Sequence, residues 1–300
     1  MKLAKVLIVF KKSTFQLQAI EHREPRFLKL LEEGHATLSK VKTAHSEHYE
    51  TLEFIQGELK RRNISFEEVA RADLKENVDD VDLVISVGGD GTFLDASHAV
   101  SRVPLLGVNS ARSSSFGHFC LANEDNLAGI LDRIEDGELK PSPVLRLELS
   151  LNGSILPEPV LNEVLVCHSN PAGTSRYFIE IGDEVEEQRS SGVWIGTPAG
   201  STGALKSAGG PILPITASQF QYIVREAWTR PGQHYKLTKA LLSRHEKIKI
   251  TSNMRTGALY IDGQHIDYSF SLGDELFITA ARDDLQAFVD PEVNSIFGKG

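Results

Sequence analysis

The chain has two cysteines, two methionines and two tryptophans in 300 residues. The scarcity of cysteine excludes a good deal. Cys120 and Cys167 form no CxxC pair and no other metal-ligating spacing, so neither a zinc module nor a disulfide scaffold is encoded. Both sit in apolar contexts, where a free thiol is expected to be buried. Long apolar runs are missing too, and none approaches the roughly 18 residues of a membrane span. Residues 1–10 carry lysine inside a short apolar run and no small-residue cleavage site, so they read as a first strand rather than a signal peptide, which fits the cytoplasm. Positive charge is in deficit, with 32 Lys and Arg against 41 Asp and Glu and a net charge of −9. A nucleic-acid partner therefore has no electrostatic support, although a local anion site needs only a loop and a few donors. No G-x-S-x-G elbow supports a serine hydrolase, and Lys206-Ser207 lacks the glycine of a P-loop. His45 and His48, three apart at a helix start, have no third ligand and read as a solvated face, whereas His118 and His265 lie beside candidate site segments.

What is present suits a soluble globular chain of two domains, or one large one, with 41% hydrophobic and 24% charged residues. The richest stretch is residues 81–104. Val84-Ile85-Ser86-Val87 reads as a buried strand. It stops at Gly88-Gly89-Asp90-Gly91-Thr92, and a helical segment with Phe93, Ala96 and Val100 on one face follows, closed by Val103-Pro104. Strand, glycine loop and helix bring free backbone N–H groups and the positive end of a helix dipole to one point, which favours phosphate. Asp90 would repel a bare phosphate. It makes sense there as a ligand of Mg²⁺, as the acceptor of a proton from a hydroxyl attacking a phosphoryl group, or more simply as a helix cap.

Around this stretch strands and helices alternate. A first strand ends at Lys11-Lys12-Ser13-Thr14. A helix is expected around residues 24–33, an amphipathic one on Tyr49, Leu52, Ile55 and Leu59, and a second strand at Asn63-Ile64-Ser65-Phe66. Residues 104–109 give a further strand leading into a serine-rich loop at 110–116, and Leu127, Ile130, Leu131 and Ile134 mark another helix. Such alternation means a Rossmann-like parallel sheet covered on both faces, with ligands beyond the strands' carboxyl ends. After Pro141-Ser142-Pro143 the period changes to two, at Leu145, Leu147, Leu149 and Leu151, then at Val160, Val164 and Val166, and at Tyr177, Ile179 and Ile181. The fold class expected is α/β plus β. An α/β phosphate-binding domain over residues 1–142 precedes a mostly antiparallel, sandwich-like β domain over 143–280. Residues 281–300 possess no clear pattern and could return to the first domain. Within the β domain, helical interruptions are expected near 200–208 and 236–243, a hairpin turn at Asp262-Gly263 joining residues 259–261 to 277–279, and a solvated turn at the acidic residues 183–187.

Two further elements stand out. Residues 190–203 are glycine-punctuated and rich in small hydroxyls, entering a short helix before Gly209-Gly210-Pro211. Asn162-Glu163 places polar side chains in an apolar strand, where they must find partners or face a cavity.

GGDGT at 88–92, Asn-Glu at 162–163 and TPAGST at 197–202 followed by AGGP at 208–211 stand in the order and spacing of the NAD kinase family, which the chain resembles over nearly its whole length. The helical insertion after the first strand, Gly117-His118-Phe119-Cys120-Leu121 and Gln188-Arg189-Ser190-Ser191-Gly192 resemble its mitochondrial-type branch. The resemblance implies ATP-dependent phosphorylation of the adenosine-ribose 2′-hydroxyl of NAD to give NADP. In it Asp90 matches the carboxylate that orients or deprotonates that hydroxyl. Gly88, Gly89, Gly91 and Thr92 match the phosphate loop, with Mg²⁺ arriving on the triphosphate. Asn162 and Glu163 match the pair that holds the dinucleotide, while Asn109, Arg189, Ser191, Thr197, Ser201, Thr202, Gly203 and Ser207 fall along the nucleotide-binding segments. A homodimer or homotetramer is implied as well. The chain departs from the family pattern at Ser191, often Asp; at Ala199, usually a hydroxyl residue; at Thr202-Gly203-Ala204, usually TAY; and at residues 110–116, usually glycine-rich. ATP and inorganic polyphosphate both suit the loop as donors, and NAD and NADH as acceptors. The other readings are a lipid or sphingoid-base kinase of the diacylglycerol-kinase type, which wants a second Gly-Thr/Ser-x-Asn-Asp loop, and a dinucleotide sensor of weak catalytic power, for which Asp90 would have little use.

Overall fold

The structure is a computed structural model and describes residues 1–74, 77–110 and 116–298. The chain divides into two compact units: Met1–Ser142 with Gln286–Asp290, and Pro143–Leu285 with the segment from Pro291 onward.

The first unit is built on the apolar runs. Strands β1 (Lys5–Phe10), β2 (Ser65–Ala70), β3 (Leu83–Gly88) and β4 (Leu105–Asn109) pair in parallel in the order β2-β1-β3-β4. Every residue of β3 and β4 is buried, as expected of a parallel sheet covered on both faces. Helices α1 (Pro25–Glu32), α2 (Val41–Arg61), α3 (Asp90–Ala99) and α4 (Leu127–Glu135) complete the unit. On α2 the buried stripe is His48, Thr51, Leu52, Ile55 and Leu59, the i, i+3, i+4, i+7 spacing of a helix lying on a sheet. α3 is buried at Thr92, Phe93, Leu94, Ala96, Ser97 and Ala99, most of the way round, so it carries no clean amphipathic signal.

Register fixes where the strands end. Phe10 stands opposite both Ala70 and Val87, and Gly88 opposite Asn109. The next residues, Arg71, Lys11, Gly89 and Ser110, therefore emerge along one carboxyl edge, the edge where open α/β sheets bind ligands.

β5 (Ser142–Val144) is an edge strand of the first sheet, and the second unit then runs through β6 (Leu147–Leu151), β7 (Ser154–Ile155) and β8 (Glu163–His168). β9 (Ser175–Ile181), β10 (Glu184–Ser190) and β11 (Val193–Gly196) follow, then a short helical turn, α5 (Ala204–Ser207). The remaining strands are β12 (Gln219–Val224), β13 (Lys239–Ser243), β14 (Lys247–Ser252), β15 (Gly257–Ile261), β16 (Ile266–Phe270) and β17 (Glu275–Ala280). Two six-stranded sheets result, in the orders β10-β9-β14-β17-β6-β7 and β13-β12-β11-β8-β15-β16. Their alternating inner faces meet in one core containing Leu149, Ile179, Ile250 and Ile278 from the first sheet and Val164, Ile195, Phe220 and Leu259 from the second. After it, β18 (Leu285–Phe288) pairs in parallel with β4, placing Ala287 opposite Leu105. The mixed α/β architecture expected from the period change at residue 141 is the one observed.

Four local expectations are corrected. The Asp262-Gly263 turn closes a hairpin between β15 and β16, whereas residues 277–279 belong to β17 and pair with β14 and β6. Residues 239–243 are strand β13 and not helix: Leu242 is buried opposite Phe220, and this cross-strand burial overrides a helix-like spacing of Leu237, Ala240 and Leu241. The acidic turn is confined to Gly182-Asp183, since Glu184 already pairs with Ile181. His48 is no solvated residue. It is fully buried on α2 and its Nδ1 meets the Ser110 hydroxyl at 2.7 Å. Of the expected serine-rich loop, residues 111–115 lie outside the described residues.

Ile55→Ala should destabilise the first unit by about 2–5 kcal/mol, because the side chain is fully buried between α2 and the sheet. The exposed neighbour Glu53→Ala should stay within about 0.5 kcal/mol, and urea melts of both variants check the contrast.

Candidate active site

In the first unit the site is the turn from β3 into α3. Gly89 precedes the helix in extended conformation and no side chain caps the helix. Asp90 is therefore not a cap. Its Oδ1 accepts the backbone N–H of Phe119 at 2.8 Å, and Oδ2 has no hydrogen-bond partner among the described residues. Phe119 is held in place by stacking on Phe93, ring centres 5.2 Å apart, and by Ala122 N–H donating to Gly107 O at 3.1 Å. Gly88 is required by close approach, since a Cβ there would fall 2.2 Å from Thr92 Oγ1. That hydroxyl is buried without a partner. Asn109, buried at the end of β4, donates its N–H to Ala122 O at 2.9 Å. Burial, and then the nearby Asp90 charge, push the Cys120 thiol up to about 12, so it stays protonated at neutral pH.

In the second unit the Asn162-Glu163 pair is fixed by a residue that sequence reasoning read only as a turn. Asp262 sits at φ +47°, and its carboxylate accepts N–H groups from three successive residues: Leu161 at 2.8 Å, Asn162 at 2.7 Å and Glu163 at 3.1 Å. Asp262 N–H in turn donates to Glu163 O at 2.9 Å. The Asp-Gly dipeptide signalled the turn, and nothing local signalled a partner about 100 residues away. Asn162 Oδ1 is left buried and without a partner. Gly200 is the second glycine demanded by approach: a Cβ there would lie 2.5 Å from Asn162 O and 2.8 Å from Glu163 Oε2. Burial, and then the Asp262 charge, raise the Glu163 carboxyl to about 8, so that it is mostly a neutral acid at pH 7.

The loop around Gly200 is shaped by its own hydroxyls. Thr197 and Ser201 are fully buried. Thr197 donates its hydroxyl to Leu161 O and its N–H to Asn162 O, while Ser201 bridges Pro198 O at 2.7 Å and Leu213 N–H at 3.0 Å. Both hydroxyls hold the geometry of the loop. Thr202 is half-buried, and Gly203 and Ser207 are exposed at the start and end of α5. Arg189 and Ser191 line a separate cavity of about 320 Å³ with Arg176, Glu226 and Trp228. There the Arg189 guanidinium lies 5.8 Å from the Trp228 ring centre. His265 is exposed in the β15–β16 turn, and His118 packs edge-on to Phe119 with ring centres 5.0 Å apart.

Residues 6–139 match the family described as ATP-NAD kinase N-terminal domain. The chain is similar to a probable NADH kinase of Oryza sativa subsp. japonica, 39% identical over 256 residues, with 78% of each chain covered. It is also similar to the NADH kinase of Arabidopsis thaliana, 34% identical over 83% of this chain and 86% of that one. The chain belongs to the NAD kinase family. In structure it superposes on an NAD kinase from Archaeoglobus fulgidus crystallised with ATP, with a TM-score of 0.66 over 98% of both chains at 22% identity, a likeness of fold. As a member of the NAD kinase family the protein is a phosphotransferase. Among the described residues no helix is long and apolar enough to cross a membrane.

Two outcomes test the second-unit geometry. Because the Glu163 proton is held up to about 8 in the folded chain against 4.5 ordinarily, the folded state binds the extra proton between these values. Its contribution to stability is present below pH 4.5 and is lost as pH rises through about 8. Glu163→Gln should flatten that part of the melting-temperature profile. Asp262→Ala strands three backbone donors and should cost roughly 1.5–3 kcal/mol in a urea melt.

Proposed function

We propose that this kinase uses ATP to phosphorylate the 2′-hydroxyl of the adenosine ribose of NAD or NADH, giving NADP or NADPH. The ribose oxygen forms a bond to the γ-phosphorus, the bond from that phosphorus to the β–γ bridging oxygen breaks, and ADP leaves. Asp90 takes the hydroxyl proton. The observation that carries the reading is the Asp90 carboxylate, pinned through Oδ1 by Phe119 N–H with Oδ2 left to accept. Both oxidation states of the acceptor carry the same adenosine ribose, and the two plant relatives are NADH kinases by name.

Gly88, Gly89, Gly91 and Thr92 form the phosphate loop, with the uncapped start of α3 and the partnerless Thr92 hydroxyl as donors. Asn109 supports the loop from the adjacent strand. Asn162 and Glu163 hold the dinucleotide, Asn162 through the buried Oδ1 that lacks a protein partner and Glu163 as a neutral acid able to donate. Thr197 and Ser201 set the loop that carries Thr202, Gly203 and Ser207, and Arg189 with Ser191 bind the anionic or nicotinamide part. Among the described residues no cluster of three metal-ligating side chains occurs. Mg²⁺ would arrive on ATP, keep several waters and need one or two carboxylates, here Asp90. The ion would neutralise phosphate charge. Positioning and charge neutralisation then supply most of the rate. A cytoplasmic homodimer or homotetramer completes the proposal, and light scattering of the purified protein tests the assembly.

Purified protein with Mg·ATP should convert NAD or NADH to its 2′-phosphate, read with an NADP-specific dehydrogenase. Asp90→Asn should lower kcat on the order of 10²-fold or more with an unchanged melt. Dinucleotide binding by calorimetry with no turnover would return the chain to a sensor, and a wild-type rate in Asp90→Asn would remove Asp90 from the mechanism.

A further inference from the structure

The carboxyl edge of the first sheet presents more than the glycine loop. β1 ends at Phe10, opposite Val87 of β3 on one side and Ala70 of β2 on the other. The residues that follow, Lys11 and Arg71, therefore stand side by side, and Lys11 is the next neighbour of Gly88 across the sheet. Its N–H still reaches Val87 O at 3.4 Å. Two cations thus flank the first residue of GGDGT.

Arg71 is an exposed, salt-bridged charge, but Lys11 is not placed as an ordinary surface charge. Lys11 is half-buried and forms no salt bridge or side-chain hydrogen bond among the described residues. Its charged surroundings make that worse: burial first and then the Arg71 guanidinium hold its ammonium below the ordinary lysine range. The Lys11 charge also reaches His48, which burial and that charge bring down to about 4, so no proton from His48 adds to the positive cluster at neutral pH. Arg71 is tethered by Asp95 at 3.1 Å. The tether holds it over the loop, since a Cβ on Gly91 would lie 3.5 Å from Arg71 Nη1. Asp90, the remaining acid of the cluster, is tied to Phe119 N–H and makes no ion pair with either cation.

A half-buried ammonium that lacks a salt bridge of its own and lies beside a guanidinium is unfavourable in the free protein and becomes favourable when an anion arrives. We infer that Lys11 and Arg71 are phosphate-binding residues, Lys11 contacting the terminal phosphates of the donor and Arg71 closing the cluster from β2. The donor's identity as a nucleoside triphosphate rests on the kinase reading above; the anion site does not. The ligand class is a linear polyphosphate group bound along the strand ends, with Lys11 acting as a point charge and Arg71 sharing its guanidinium between Asp95 and phosphate oxygen.

The probe is sodium tripolyphosphate, titrated calorimetrically into wild type, Lys11→Gln and Lys11→Arg, with NAD titrated into the same samples. Loss of one charged contact should weaken tripolyphosphate by about 10- to 100-fold in Lys11→Gln and leave NAD binding unchanged. Lys11→Arg, which keeps the charge, should recover most of the affinity. In turnover the KM for Mg·ATP should rise in Lys11→Gln while the KM for the dinucleotide stays put. Amine acylation of the wild type followed by mass spectrometry covers the case in which Lys11→Gln does not fold. Tripolyphosphate should shield Lys11 and leave Lys5, paired with Glu67 at the sheet surface, as reactive as before. Equal tripolyphosphate affinity in wild type and Lys11→Gln, or equal acylation of Lys11 with and without it, overturns the inference, as does a wild type that binds none. A wild type that makes no NADP yet needs Lys11 for tripolyphosphate would sink the kinase reading and keep this one.

Discussion

The first unit depends on one hydrogen bond, from Phe119 N–H to Asp90 Oδ1 at 2.8 Å. An aspartate at the first turn of a helix has an easier use, to fold back and satisfy the helix's own N–H groups. With Lys11 and Arg71 close by it has another, to form an ion pair. Either would consume the oxygen that a proton-accepting carboxylate needs. The bond to Phe119 holds the carboxylate clear of both while occupying a single oxygen, and Asp95 takes up part of the Arg71 charge. The turn that supplies Phe119 is held in place by the Phe93 stack and by the bond from Ala122 to Gly107. Packing beneath the loop thereby sets the direction of a carboxylate at its surface.

The second unit solves a related problem by the opposite means. Glu163 is half-buried, and a carboxyl in that position is raised toward keeping its proton. What must be fixed is the backbone, and Asp262 fixes it by gathering three consecutive N–H groups. The same negative charge adds to the burial that raises Glu163. One side chain therefore positions the Asn-Glu pair and biases its protonation. Gly200 leaves the space in which the Glu163 oxygen lies, so the loop and the strand are shaped to each other atom by atom.

Sequence periodicity carried the architecture because both units obey simple burial rules. β1, β3 and β4 are covered on two faces and read as apolar runs, and β9 is covered on one and reads as alternation at Tyr177, Ile179 and Ile181. The rules fail where a residue's partner is distant. His48 has polar neighbours along α2, yet Ser110 and the sheet bury it. Residues 239–243 have a helix-like spacing, and only the presence of β12 makes them a strand. At the site, the glycine loop was legible because its geometry is local: glycine spacing, one acid and a helix start. Asp262 was legible as a turn and not as the anchor of residues 161–163. Thr197 and Ser201 were legible as motif hydroxyls, and their bonds to Leu161, Pro198 and Leu213 were not, because a motif records which residue types occur and not which way they point.

The charge distribution gives these local devices their purpose. A chain of net charge −9 offers polyphosphates and dinucleotides no net long-range attraction. At about 0.1 M salt the field of that charge is screened beyond roughly 10 Å, and recognition falls to the groups in contact. Lys11, Arg71 and the open start of α3 then act at a distance where the acidic surface no longer matters. An ammonium kept half-buried and without an internal partner loses stability in the free chain and returns it only when an anion is bound. A salt-bridged lysine in the same place would stabilise the fold and bind phosphate weakly, because every phosphate oxygen would first have to displace a carboxylate.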